Sequence, residues 1–207
     1  MRRNLIAVLF ALAAVGSAVP AEDFNSREWR DEIARGFLPY RKLAYEDFPV
    51  SDGVQTPHLM HTEGFVHYSY KMTWTASHGT FAAKVTQFTV RSGYDSTKSW
   101  RRSGFTETKA LLAHEQGHLD ISELHAADFR LASMPEGISS TAQGAMDALN
   151  VKMQAVCDRY CQEAKVEQDR YDQETNHGLN GEQQRKWNQD LHDRVAKAGL
   201  TYWDQDR

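Results

Sequence analysis

Cysteine is nearly missing from this chain of 207 residues: there are two, Cys157 and Cys161, in the run CDRYC. With no second pair to complete a sulfur site, they make a poor metal centre. Four residues apart on a helix, their Cβ atoms stand somewhat further apart than a relaxed bridge prefers, which leaves a strained, labile disulfide or two free thiols. Positive charge is also short. Lys and Arg number 24 against 28 Asp and Glu, a formal net charge of −4, which excludes a protein that grips nucleic-acid phosphates through a basic face. Internal repeats and low-complexity tracts are absent, and beyond residue 15 no stretch is apolar enough to span a bilayer. With 41% hydrophobic and 25% charged residues and a mean hydropathy of −0.64, the chain is expected to form one modest core and a single domain.

What is present begins with an export signal. Arg2 and Arg3 precede an apolar run over residues 5–15, and Gly16-Ser-Ala18 or Val19-Pro-Ala21 offers small residues for cleavage. Residues 1–21 therefore read as a signal peptide, which implies a secreted or periplasmic protein with no stable membrane insertion after cleavage. Residues 22–37 read as a short, polar, peripheral helix capped near Ser26, and residues 38–207 as the functional domain. Val66, Tyr68, Tyr70, Met72 and Trp74 alternate with polar residues, the period of a half-buried strand. Ser77-His-Gly79-Thr80 signals a turn, and residues 81–91 read as the returning strand. Helical spacing then runs over residues 106–130. Met134-Pro-Glu-Gly137 breaks it, a second helix starts near Ser140 and ends at Thr175-Asn-His-Gly178, and a last one starts near Asn180. Strands followed by helices predict an α+β fold.

Histidine is the conspicuous residue, with nine in the chain. Two of them fall in Leu111-Leu-Ala-His114-Glu115-Gln-Gly-His118, where His114 and His118 are i and i+4 on one helical face, so both imidazoles can point at one ion. Glu115 sits beside them. This is the HExxH arrangement of zinc hydrolases, and a shuffled chain of this composition would contain it only about 0.02 times. Neutral imidazoles leave a bound Zn2+ strongly Lewis-acidic, so a zinc-bound water can lose a proton to Glu115, which later delivers it to the leaving amine.

A catalytic zinc keeps three protein ligands, and the third must come from elsewhere. His125 lies roughly 10 Å along the helix axis from His118, out of reach of the same ion. The Gly-x-x-His continuation of the metzincins is missing, since Ile121 and Leu124 occupy that stretch. Glu167, continuing the apolar stripe of the second helix, is one candidate, because a carboxylate there is expensive to bury unless paired or metal-bound. His177, at a helix end where Gly178 permits a sharp exit, is the other.

These residues resemble the predicted secreted zinc-dependent proteases of bacteria, a family long filed as a domain of unknown function. The resemblance runs from residue 38 to the C-terminus. It rests on Leu43-Ala-Tyr-Glu-Asp47-Phe48, Ser99-Trp100, His114-Glu-Gln-Gly-His118-Leu-Asp-Ile121 with Glu123, Tyr171-Asp172-x-x-Thr175-x-His177-Gly178, and Gln184 with Trp187. Tyr45 and Glu46 stand where that family usually has Trp and Asp, and Leu119 where it has Phe. The resemblance implies that the Tyr-Asp-x-x-Thr-x-His-Gly cluster belongs to the site, which favours His177 over Glu167 as third ligand. A straight second helix returning after a short loop would carry His177 far past His114, so a kink or a long connection over residues 134–144 is required.

The expectation is thus a zincin-like fold with an HExxH active-site helix, and a zinc metallopeptidase acting on peptide or protein substrates. His114, His118 and His177 hold Zn2+ and Glu115 is the general base. An extended substrate would align with a sheet edge near residues 84–90. The alternatives are a non-catalytic zinc-binding protein of the cell envelope and a zinc amidase acting on cell-wall peptides. Substrate, cleavage specificity and oligomeric state stay open.

Overall fold

A computed structural model of the chain describes residues 26–53 and 56–202. The signal peptide read over residues 1–21, and the first residues of the segment after it, lie outside that range. In chain order the elements are α1 (Arg27–Ala34), β1 (Phe37–Pro39), a 3-10 turn (Tyr45–Asp47), β2 (Met60–His61), β3 (Gly64–Ser77), β4 (Thr80–Asp95), β5 (Trp100–Arg101), α2 (Lys109–Arg130), β6 (Glu136–Ser139), α3 (Ala142–Thr175) and α4 (Gly181–Lys197). Among the described residues the fold is α+β, with four helices and two small antiparallel sheets. In one sheet β4 lies between β1 and β3, with β6 also pairing β4; in the other, β2 pairs β5. No helix among the described residues is long and apolar enough to cross a membrane.

The described chain divides into two compact units, between which it passes repeatedly. One comprises Tyr68–Val90 and Asp128–Cys161. Its hairpin turns on His78 (φ 48°) and Gly79 (φ 77°), the two left-handed residues that a tight turn matching strand twist requires. Below the turn, Phe81 to Lys84 pair with residues of β6, so the predicted helix break at Met134-Pro-Glu-Gly137 leads into a short strand. Ala145, Leu149 and Met153 recur every four residues along α3, are fully buried, and receive Tyr70, Met72, Phe81, Val85 and Phe88 from the hairpin. Tyr68 and Trp74, on the same predicted face, stay 37% and 41% exposed, so that face is buried only along its middle. Cys157 is buried and Cys161 exposed, and both are free thiols. Desolvation raises the pKa of each.

The other unit comprises residues 26–67, Arg91–Ala127 and residues 162–202. Ser26 caps α1 by accepting from the Trp29 N–H at 3.3 Å. Trp29, expected on a peripheral helix, is 2% exposed and packs edge-on against Phe65, so α1 is anchored in this unit. Helix α2 runs between two apolar clusters. Leu119 packs with Tyr40, Leu43, Phe48, Met60 and Tyr94, while Ile121 and Leu124 pack with Tyr171, Trp187 and Leu191. Each such aliphatic side chain contributes about 1.5–3 kcal/mol on burial. Polar ties fix the helix further: Asp120 accepts from Tyr40 O–H and from Gln116 Nε2, both at 2.8 Å, and Gln116 Oε1 accepts from the Leu43 N–H at 2.8 Å.

Candidate functional site

Helix α2 sets His114 and His118 one turn apart, with their Nε2 atoms 3.2 Å from each other. Each ring is held from behind by a glutamine. Gln168 Nε2 donates to the His118 carbonyl oxygen at 2.8 Å and to Ser122 Oγ at 3.1 Å. A carbonyl only accepts, so the amide orientation follows, and Gln168 Oε1 must accept from His118 Nδ1, with which it is in hydrogen-bond contact. The second case runs through one more residue. Tyr171 O–H donates to the His114 carbonyl oxygen at 3.0 Å, so the Tyr171 oxygen accepts from Gln184 Nε2 at 2.7 Å, and Gln184 Oε1 then accepts from His114 Nδ1 at 3.0 Å. Protons assigned in this way sit on both Nδ1 atoms and leave both Nε2 lone pairs aimed at one place. Tyr171 also stacks on the His114 ring, with centroids 4.8 Å apart and planes at 15°. Gly117 makes room for it: a Cβ there would meet the Tyr171 oxygen at 2.2 Å.

The facing wall is the end of α3 and the turn after it. Thr175 Oγ1 donates back to the Tyr171 carbonyl at 2.7 Å, and Asn176, His177 and Gly178 follow with φ of 48°, 53° and 80°. Three successive left-handed residues swing the chain round, so that the His177 N–H reaches the Asp172 carbonyl at 3.0 Å and its ring turns back towards α2. A side chain at 178 would press on His114, with Cβ and Cγ of that ring 3.1 Å away.

Asp172 Oδ1 lies at the convergence point, 3.2 Å from His114 Nε2, 3.1 Å from His118 Nε2 and 3.2 Å from His177 Nδ1. It is buried, and none of these approaches has hydrogen-bond direction. Burial alone would raise the Asp172 pKa, but the imidazoles of His114 and His118 hold it well below the usual carboxylate range. For His118 burial would lower the pKa, but Asp172, Glu115 and Gln168 together raise it. With the His114 and His118 Nε2 atoms as acceptors, a positive charge among them, a proton or a metal cation, relieves this crowding. Donors about 2.0–2.1 Å from one ion at tetrahedral angles stand about 3.3 Å apart, which the separations of Asp172 Oδ1 from the three imidazoles, and of His114 from His118, approach. His114, Asp172 and His177 have ligand atoms all within 4.8 Å of one another, and His118 joins them through Asp172. Three imidazoles and one carboxylate suit Zn2+ by donor type.

Glu115 lines the same cleft, and its Oε2 is buried with no hydrogen-bond partner among the described residues. The opposite rim is residues 57–61, where the His58 ring lies 4.5 Å from that of His177.

All four residues proposed from the sequence, His114, Glu115, His118 and His177, thus line one cleft. Glu167 does not. Its carboxylate is taken by His125 Nε2 at 2.7 Å and by Arg194 at 2.5 and 3.2 Å, so the alternative third ligand is corrected to one arm of an ion-paired cluster. Burial opposes its charge, but those two partners lower its pKa to about 2. The connection between α2 and α3 is long, as required: residues 131–141, with β6 inside it, separate them. Asp172 and Gln168 were missed. Asp172 stood in the Tyr171-Asp172-x-x-Thr175 cluster without a role, and nothing in the sequence marks Gln168.

The chain belongs to the family described as "Bacterial protein of unknown function (DUF922)", which matches residues 41–178. The matched stretch includes every residue of the convergence point but ends before Gln184. No curated protein and no solved structure matches the chain.

Proposed function

We propose that this member of the family is a secreted or periplasmic zinc metallopeptidase of zincin-like architecture. His114, His118, His177 and Asp172 supply the metal donors, and Glu115 is the general base. One observation carries the reading: two imidazoles fixed by glutamines bring their Nε2 atoms within 3.2 Å of a buried carboxylate oxygen, Asp172 Oδ1, beside a second buried carboxylate oxygen, Glu115 Oε2, that has no partner among the described residues. The signal read over residues 1–21 supports export.

A bound Zn2+ supplies Lewis acidity, which polarises a peptide carbonyl and makes a nearby water easier to deprotonate. The chain's own residues do the rest. Glu115 Oε2 takes the proton of the attacking water and returns it to the nitrogen of the leaving amine. Gln168 and Gln184 hold the His118 and His114 rings in one tautomer, so no rearrangement is needed when a cation arrives. Tyr171 and Trp187 shield the back of the site, with ring centroids 5.2 Å apart.

Glu115→Gln tests the assignment. It keeps the side chain's shape and should retain Zn2+ while losing nearly all hydrolysis of a peptide library; full hydrolysis by this variant rejects the mechanism. Parallel digestion of isolated peptidoglycan separates a protein-cleaving enzyme from a cell-wall amidase. A second reading, a non-catalytic zinc protein, draws on the number of donors, since four side chains are what a closed structural site contains. Glu115 argues against it, because a structural site has no use for a buried carboxylate without a partner beside its ligands.

A further inference from the structure

We infer that Asp172, and not His177, is the third permanent ligand of this site, with His177 a removable fourth donor that closes it; the inference rests on the metal-binding reading above. Asp172 is built into α3, directly after two side chains that tie that helix to α2. Gln168, one turn before it, bonds the His118 carbonyl, and Tyr171, its neighbour, bonds the His114 carbonyl. Its Oδ1 is buried and lies within 3.2 Å of all three imidazoles. Its backbone cannot shift without straining those two bonds.

His177 is held differently. It sits beyond the end of α3 in the left-handed run, its side chain is 47% exposed against 4% for His114, and its ring lies 4.5 Å from that of His58 on the cleft rim. Rotating its side chain to solvent breaks no hydrogen bond of α2 or α3. Four donors facing one point make a closed site, and catalysis requires one exchangeable position. The donor that can leave is the one on the turn. His58, whose tilted ring packs against it at 4.5 Å, favours the closed arrangement, so an extended substrate entering along residues 57–61 would part the two rings as it binds.

Zn2+ affinity, measured by competition with a chromophoric chelator, separates the roles without recourse to activity. Asp172→Asn should lose about 100-fold or more of affinity and His177→Ala about tenfold or less, with positioning residues alone worth 10–100-fold in such sites. Co2+-loaded His177→Ala should in addition show a visible-spectrum titration near neutral pH, weak or missing in the wild type, as water enters the vacated position. Wild-type affinity in Asp172→Asn, or a loss in His177→Ala as large as that in Asp172→Asn, overturns the inference and leaves the metallopeptidase reading standing. Failure of the wild type to bind Zn2+ overturns both. Should Asp172→Asn not fold, as judged by circular dichroism, His177→Ala on its exposed turn decides alone: near-wild-type affinity supports the assignment, and a loss of about 100-fold refutes it.

Discussion

Replacing Gly117 by alanine adds one methyl group to the middle of the histidine motif, and the consequences can be worked out from the contacts it would make. The new Cβ would stand 2.2 Å from the Tyr171 oxygen, 2.6 Å from Cζ and 3.1 Å from Cε1, whereas ordinary contact begins at 3.4 Å. Tyr171 would have to retreat by about 1.2 Å, the distance that restores ordinary contact. It has nowhere to go. The side chain is fully buried, stacked on His114 and set edge-on against Trp187. Overpacking of this kind costs about 1–3 kcal/mol. The retreat also stretches the bonds from Tyr171 to the His114 carbonyl and from Gln184 to Tyr171, each worth about 1 kcal/mol. The sum is about 3–5 kcal/mol, a fall in Tm of about 6–20 °C for a chain of this size. Urea unfolding and thermal melts of metal-free protein measure it. Removing the hydroxyl as well, in Gly117→Ala/Tyr171→Phe, should recover part of the loss, with a coupling of about 1 kcal/mol or more. A Gly117→Ala variant within about 1 kcal/mol of wild type, or a double mutant with no coupling, would show that Tyr171 is not wedged against α2 in this way.

Glu167 gives a pH test. Its folded pKa lies near 2, below the ordinary 4.5, so its hydrogen bond with His125 and ion pair with Arg194 stabilise the fold fully above about pH 4.5 and lose that contribution as the pH falls towards 2. In chelator-treated protein, Glu167→Gln should be less stable at pH 7 by up to about 3 kcal/mol and show a flatter decline between pH 4.5 and 2; an unchanged acid profile removes the ion pairs from the account. Gln168→Leu and Gln184→Leu should each weaken Zn2+ binding about 10–100-fold while leaving all donors in place, and chelator competition showing wild-type affinity would mean that the rings need no tautomeric hold.

The sequence disclosed whatever depended on local period. Tyr70 and Met72 showed their strand by alternation, and Leu149, Met153 and Cys157 their helix by steps of four; the first pair and the first two of the second set share one apolar cluster. The two-residue strands β2 and β5 are too short to carry a period, and they hold together only because residues 60–61 meet residues 100–101. His114, Glu115 and His118 were legible because their spacing is a property of the helix itself. Asp172 was not. Its role depends on α3 passing α2 in the register that sets it opposite His114, and a connection of residues 131–141 fixes that register without advertising it in composition. Glu167 misled for a related reason: burial of its carboxylate was foreseeable, but its partner Arg194 lies 27 positions away on another helix. His177 needed three left-handed residues in succession, of which only Gly178 announces its conformation.

Gln168 holds both ends of His118, the carbonyl with its amide nitrogen and the ring with its amide oxygen. A ring tethered to its own backbone through a third party has no torsion left to explore. Ordering a loose imidazole consumes conformational entropy at the moment of capture, and here that loss falls in folding instead. On the proposed metal-binding reading, capture of an ion would need no search among rotamers of this side chain.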